Sequence, residues 1–427
     1  MNYNDFFNFG IEKGLNNIQI TATTVDSIEF EFINEKLENY VKNYTTRYSI
    51  KAEKNGKTEK LTSDYLGEEI IELLLLKIDN TDSAYEDEYL IKKELISVNN
   101  NCEVNEEKEF NLLKNIYKLK NKDKRISTIT SAYEDSLIKT QIVNSNGANL
   151  ESSSHNYYFY TNVLIEDNNE KISYDKNILK TNKKEIDFEK IVEETINEAL
   201  IMATKEPLKT GKHNVILSAN VSSRIISHLI EMLNQTNIRT KTSCLCDKLN
   251  KKIFNKKITI IEDPSNEIYP GFRLFDDEGT LTKKKIIIKD GILKTYLSNI
   301  KEAKMNKTIS TGNSYDGIST RNMYLKSDDT DFNQMLKNIK DGIYITDFMG
   351  ASNTSISAIT GNISIQIFGF IIKNGKITSG FNPCIMTTTI FELLNNVKNI
   401  GNEIEFTNLS VASPHLLIEN ISIASEE

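Results

Sequence analysis

Histidine and cysteine are both scarce. The chain has four of each in 427 residues: histidines at 155, 213, 228 and 415, cysteines at 102, 244, 246 and 384. With Cys102 and Cys384 isolated, a disulfide-built scaffold is excluded and a reduced, cytoplasmic location is expected. The opening residues carry Asp5 and Glu12 and neither a basic nor an apolar stretch, so no secretory signal is read there. No apolar run reaches the roughly 20 residues of a membrane span. The longest, Ile70 to Ile78, is broken by Glu72 and Lys77. A basic excess is missing as well: 52 Lys and Arg stand against 60 Asp and Glu, a formal charge of −8. That field repels phosphates and argues against direct nucleic-acid binding. Internal repeats are absent too, because Ser-Ala-Tyr-Glu-Asp recurs at 83–87 and 131–135 with flanks that differ.

What is there can build a core. A chain 39% hydrophobic and 26% charged is neither disordered nor fibrous, and about 150 residues per domain gives two or three domains. The pattern is α+β. A first α/β module is expected over 1–80. A helix from Asp5 to Lys13 is followed by strands at Ser27–Phe32 and Tyr48–Ala52, a turn at Asn55-Gly56 and a helix over 66–77. An acidic, Asn-rich linker over 79–107 leads into a second α+β module ending near 205. It carries long strands at 127–143 and 155–165, then a helix capped by Asp187 and stopped by Pro207. Residues 206–427 read as one large β-rich domain with helices at 221–233, 331–339 and 388–397, and turns at Asp290-Gly291 and Asn374-Gly375.

Familiar catalytic motifs fail one by one. A hydrolytic zinc needs about three protein ligands and an open position. No histidine is followed by Glu, and the nearest approach is His228-Leu-Ile-Glu231. These two residues are weak metal candidates, because His228 shares a helix face with Arg224 and Glu231 and reads first as a surface histidine. Cys244-Leu-Cys246 would put two thiols on one side of a strand, with no further soft ligand nearby. Gly312 and Gly317 have the first spacing of a phosphate loop, but Ile318 replaces its Lys. Thr354 spoils the nucleophile elbow suggested by Gly350-Ala-Ser352. One cluster stands out: Phe275-Asp276-Asp277-Glu278-Gly279, a tight turn carrying three carboxylates. It reads as a structural turn first. Acid–base work by such residues would need a cleft that shifts a pKa.

In order, the C-terminal segments resemble the TldD/PmbA family, formerly described as modulators of DNA gyrase and regarded as metallopeptidases. The stretches are Asp247–Phe254, Ile258–Pro264, Phe275–Gly279, Lys289–Tyr296, Ser310–Asn313, Gly361–Ser364 and Asn374–Lys376. The first 200 residues match more loosely. The resemblance implies two kinds of subunit: a TldD kind with an HExxxH helix and a distant Cys binding zinc, and a PmbA or TldE kind without them that pairs with it. Here His228 is followed by Leu229 and Leu233 where Glu and the second His belong. Asn382–Thr389 resembles the PmbA pattern, and its Cys384 is not equated with the zinc ligand. No catalytic or metal residue is carried over.

The expectation is therefore a non-catalytic PmbA/TldE-like subunit that binds no cofactor itself. Zinc is expected in a TldD-like HExxxH partner, with which it forms a heterodimer. A homodimer when alone is possible, and the substrate is an unfolded or flexible peptide. Asp276, Asp277, Glu278 and Gly279 are expected to line the cleft. The alternatives are a divergent stand-alone metallopeptidase and a protein-binding regulator without enzymatic activity.

Overall fold

The computed structural model describes residues 1–81, 107–167, 170–349 and 355–425. The SAYED copy at 83–87, Cys102, most of the acidic linker and Gly350–Thr354 lie outside them.

Helix α1 (Tyr3–Glu12) starts at Asn2, whose side chain accepts from the Asp5 N–H. Strands β1 (Asn17–Ile33), β2 (Lys36–Lys54) and β3 (Lys57–Ser63) follow. The β2–β3 turn is Asn55-Gly56, with φ of 53° and 75°, the left-handed pair that a two-residue hairpin needs. Helix α2 (Glu68–Asp79) buries Ile70, Ile71, Leu74 and Ile78 against Phe6, Ile18 and Ile50. After α3 (Glu107–Ile116) come β4 (Ile126–Asn144), β5 (Asn149–Asp167) and β6 (Glu170–Lys180). Helix α4 (Phe188–Met202) is capped by Asp187, which accepts from the Lys190 N–H at 3.1 Å.

These six strands form one antiparallel sheet in the order β3-β2-β1-β4-β5-β6. Strand β1 pairs with β4 from Gln19–Asn144 to Ile33–Thr130, so the 1–80 and 81–205 segments share a sheet. Side chains alternate between faces. Ile18, Ile20, Ile28, Phe30 and Phe32 enter cores on one face, while Gln19, Thr21, Thr23 and Val25 turn to the other.

The C-terminal part runs β7 (Lys205–Glu206), β8 (Gly211–Leu217), α5 (Ala219–Ser227), α6 (Leu229–Leu233), α7 (Gln235–Arg239) and β9 (Ile260–Glu262). It continues with β10 (Lys285–Lys289), β11 (Ile292–Leu293), α8 (Ile300–Met305), β12 (Met323–Leu325), α9 (Phe332–Ile339), β13 (Gly342–Met349) and β14 (Asn362–Lys373). It ends with β15 (Lys376–Phe381), β16 (Cys384–Thr389), α10 (Ile390–Asn395), β17 (Val397–Ile400), β18 (Glu405–Phe406), β19 (Val411–Ser413) and β20 (Leu416–Ser425). One sheet is ordered β11-β10-β9-β12-β19-β18; the other runs β13-β8-β20-β16-β14-β15-β7, with β17 against β20. Strand β13 also pairs with β14, so five strands close into a ring around Val215, Ile343, Ile365, Met386 and Ile418. The fold is α+β, as the sequence pattern predicts.

Three local expectations are corrected. The helix read over 221–233 breaks at His228, which ends α5 and begins α6. Cys244 and Cys246 lie in a turn, not a strand. There the Ser243 hydroxyl accepts from the Leu245 N–H, Leu245 enters the core and half-buried Cys244 packs against it. The strand expected over 292–297 is only Ile292–Leu293.

Candidate functional site

The turn at 275–279 sits where the C-terminal part meets the N-terminal sheet. Asp276 is fully buried. Its carboxyl accepts from the backbone N–H groups of Glu278 (3.0 Å), Thr280 (2.9 Å) and Ser314 (3.0 Å). Gly279, at φ 77°, closes the turn by donating its N–H to the Asp276 carbonyl at 2.9 Å. Asp277 pairs with Arg273 at 2.7 Å and accepts from the Asp316 N–H at 2.9 Å. Its carbonyl accepts from the Gln19 side chain on β1 at 3.1 Å. Glu278 accepts from the Ile300 N–H at 2.8 Å, where α8 begins.

Asp276 is thus the strut of the turn. Asp277 and Glu278 line a groove of about 330 Å³, facing Gln19, Thr21, Lys51 and Lys60. Burial pushes Glu278 up, against the Ile300 N–H and Lys51. Burial pushes Lys51 down to about 8, with Glu278 pulling it back. The groove therefore holds an acid and an amine whose charged forms depend on each other.

Burial pushes Asp276 up to about 7 from an ordinary 3.8, outweighing its three N–H donors. The protonated fold is then favoured fully below about 3.8, and that share of stability is lost as pH rises through about 7. Asp276→Asn removes this titration. The wild-type minus variant difference in unfolding free energy should therefore fall by about 2 kcal/mol or more between pH 4 and pH 7.5 in urea titrations. A difference that stays flat would show the carboxyl already ionised in the fold.

Behind the turn, Glu262 of β9 is fully buried. It contacts Lys285 of β10 at 2.6 Å and accepts from the Asn313 side chain (2.8 Å) and the Arg321 N–H (3.1 Å). Lys285 also donates to the Asn313 side-chain oxygen at 3.1 Å. Burial pushes Glu262 up, opposed first by Lys285.

The donor set on the α5–α6 segment does not fit a hydrolytic zinc. His228 is half-buried and pushed down by burial. Arg224 is taken by Asp347 at 2.5 Å and the Phe348 carbonyl at 2.9 Å. Leu229 and Leu233 are fully buried core residues. Among the described residues no group of three or more His, Cys, Asp or Glu could hold a metal ion. Burial pushes Cys244 up to about 11 and raises Cys384, whose Sγ donates to the Asn382 carbonyl at 3.1 Å.

Residues 210–425 match the PmbA/TldA metallopeptidase C-terminal domain, and residues 99–203 match the central domain of the same family. The chain belongs to the TldD/PmbA family. It is 28% identical over 304 residues to a metalloprotease PmbA homologue of Buchnera aphidicola, covering 71% of this chain and 67% of that one. Against metalloprotease PmbA of Escherichia coli O157:H7 it is 31% identical over 219 residues, 51% of this chain and 47% of that protein. The chain therefore spans about two thirds and about half of these relatives. In fold it resembles a Thermotoga maritima protein described as a modulator of DNA gyrase (TM-score 0.88, 23% identity, 99% of both chains). It also resembles TldE of Thermococcus kodakarensis (TM-score 0.84, 18% identity, 99% of both chains).

The family stretches Ile258–Pro264 and Ser310–Asn313 meet through Glu262 and Asn313, and Phe275–Gly279 joins them through the Asp276 carboxyl and the N–H of the next residue, Ser314. Sequence reasoning missed Lys51, Arg273, Lys285 and Arg321. A signal for the arginines existed: only six of the 52 basic residues are Arg, which singles out the few positions where a planar fork can act.

Proposed function

We propose that this chain is a non-catalytic, PmbA/TldE-like subunit. It pairs with a TldD-like protein carrying HExxxH and zinc to form a cytosolic metallopeptidase for unfolded or flexible peptides. The observation that supports this most is the α5–α6 segment, where Leu229 and Leu233 occupy the core at the positions the motif would claim. The same donor set argues against a stand-alone metallopeptidase. Exposed Leu37, Tyr40 and Tyr44 on one face of β2 (Tyr44 75% exposed) give a partner apolar surface to cover. What this chain contributes is shape and polarity: a groove flanked by Lys51, Asp277 and Glu278 that can hold an extended peptide through main-chain and side-chain hydrogen bonds.

Co-expression with an HExxxH-bearing family member from the same genome tests this. The two should co-purify, and cleavage of a denatured protein substrate should need both. An HExxxH protein that is fully active alone and does not associate would refute it.

A further inference from the structure

Beside the acidic turn lies a second, smaller cavity of about 170 Å³, walled by Phe272, Arg273, Arg321 and Leu409 and floored by the N-terminal sheet. We propose that this pocket binds a carboxylate, the C-terminal carboxylate of a peptide whose chain continues into the larger cavity beside it. The carboxylate site stands on geometry alone; naming the ligand a peptide rests on the peptidase reading above.

Charge makes the first argument. The Arg273 side chain is 8% exposed and spends one nitrogen on Asp277 at 2.7 Å. Its Nε is buried with no acceptor among the described residues. Arg321 forms no ion pair among the described residues; its guanidinium lies 5.4 Å from the Tyr315 ring centre, as does that of Arg273. Burial, then Arg273, pushes Arg321 down. Of the carboxylates near the Tyr315 ring, Glu262 is matched by Lys285 and Asp276 is pushed by burial toward its neutral form, so two guanidinium groups against Asp277 leave a surplus of positive charge in a desolvated place, an arrangement that is costly unless an anion completes it. One surplus charge matches a monoanion. A phosphate ester, near −2, would overshoot it.

The floor makes the second. Thr23, Thr140 and Ser152 face one another across β1, β4 and β5, and Val25, Ile138 and Ser154 form the next row. Strand alternation puts both rows on the cavity side. The hydroxyls of Thr23, Thr140 and Ser154 add donors to the guanidinium forks, and Val25 and Ile138 add an apolar patch. That combination suits a carboxylate carrying a small apolar group. The planar fork also explains why arginine stands here in a lysine-dominated chain.

Size makes the third. The small pocket has room for one terminal residue. It shares Ser154 and Phe272 with a cavity of about 680 Å³ lined by Tyr157, Tyr269 and Phe406. A ligand anchored by its carboxylate thus has an aromatic passage for the rest of its chain.

Calorimetric titration of the full chain decides the matter, with no partner or cleavage required. The probes are Ala-Ala-Phe, its C-terminal amide, acetate and inorganic phosphate. The free acid should bind at least tenfold more tightly than the amide, acetate and phosphate. Arg321→Met should weaken the free acid at least tenfold, and Arg321→Lys, which keeps charge but loses the fork, should fall between. Because Arg321 is an unpaired desolvated charge, its removal should leave the thermal midpoint equal or higher. Equal affinity for acid and amide would overturn the proposal, as would tighter phosphate binding or acetate binding as tight as the tripeptide. Failure of the partner to co-purify would leave these titrations unaffected, so the two readings fail separately.

Discussion

Lys285→Met should destabilise the protein by about 3–5 kcal/mol, the range for breaking one side of a buried ion pair. The reason is what the substitution leaves behind. Glu262 is fully buried and loses its 2.6 Å contact with the Lys285 ammonium. The Asn313 amide and the Arg321 N–H remain, but neither supplies a charge. Glu262 must then take up a proton or stay ionised without compensation. Asn313 loses a donor to its side-chain oxygen at the same time. The double variant Glu262→Gln/Lys285→Met removes both charges and should recover most of the loss, because matched removal of a buried pair is often near neutral. Urea midpoints of the three proteins at pH 7 measure this. A Lys285→Met loss below about 1 kcal/mol would mean that water reaches the pair, as it does at exposed ion pairs.

Restoring the zinc motif should fail just as clearly. Leu229→Glu/Leu233→His rewrites the segment from His228 as HExxxH. Both leucines are fully buried in the core that also holds Val221, Ile225, Phe254 and Leu293. The change strips two apolar side chains from that core and drives a carboxylate and an imidazole into it without partners. The expected cost exceeds about 4 kcal/mol. Low soluble yield, a collapsed thermal midpoint and no stoichiometric zinc in the recovered protein are the expected results. A well-folded variant holding one zinc per chain would show that the segment can serve as a metal helix, and would remove the main support for a non-catalytic subunit.

The residues differed in how readable they were. Local chemistry was plain: Asp187 caps its helix, Pro207 follows α4, and Asn55-Gly56, Asp290-Gly291 and Asn374-Gly375 all turn with left-handed pairs. At each, the deciding physics lies within a few residues. Long strands such as β4 and β5 were visible from alternation, and the ordered family stretches gave the C-terminal domain. The short strands β12, β18 and β19 and the helices α7 and α8 were not seen, because two to six residues carry too little periodicity. The break at His228 escaped because its two halves continue one apolar face. At the candidate site the acidic turn was legible as a motif, while its partners were not. Arg273 is four residues from Asp277, but Gln19 is 258 and Ser314 is 38 residues from their acidic-turn contacts. Only the fold supplies those neighbours. The same holds for Arg321 and the β1, β4 and β5 hydroxyls, which no local pattern links.

The seam between β1 and β4 bears on how the chain can be made and divided. On the ribosome, β1 can zip to β2 at once, but its other edge waits until residues 130–144 emerge, and a bare strand edge invites wrong pairings in the interval. Conversely, two separately produced pieces, one ending at residue 81 and one starting at 107, carry complementary halves of the same hydrogen-bonded ladder. Each alone exposes a long open edge and is expected to aggregate, while the mixture has the means to reassemble.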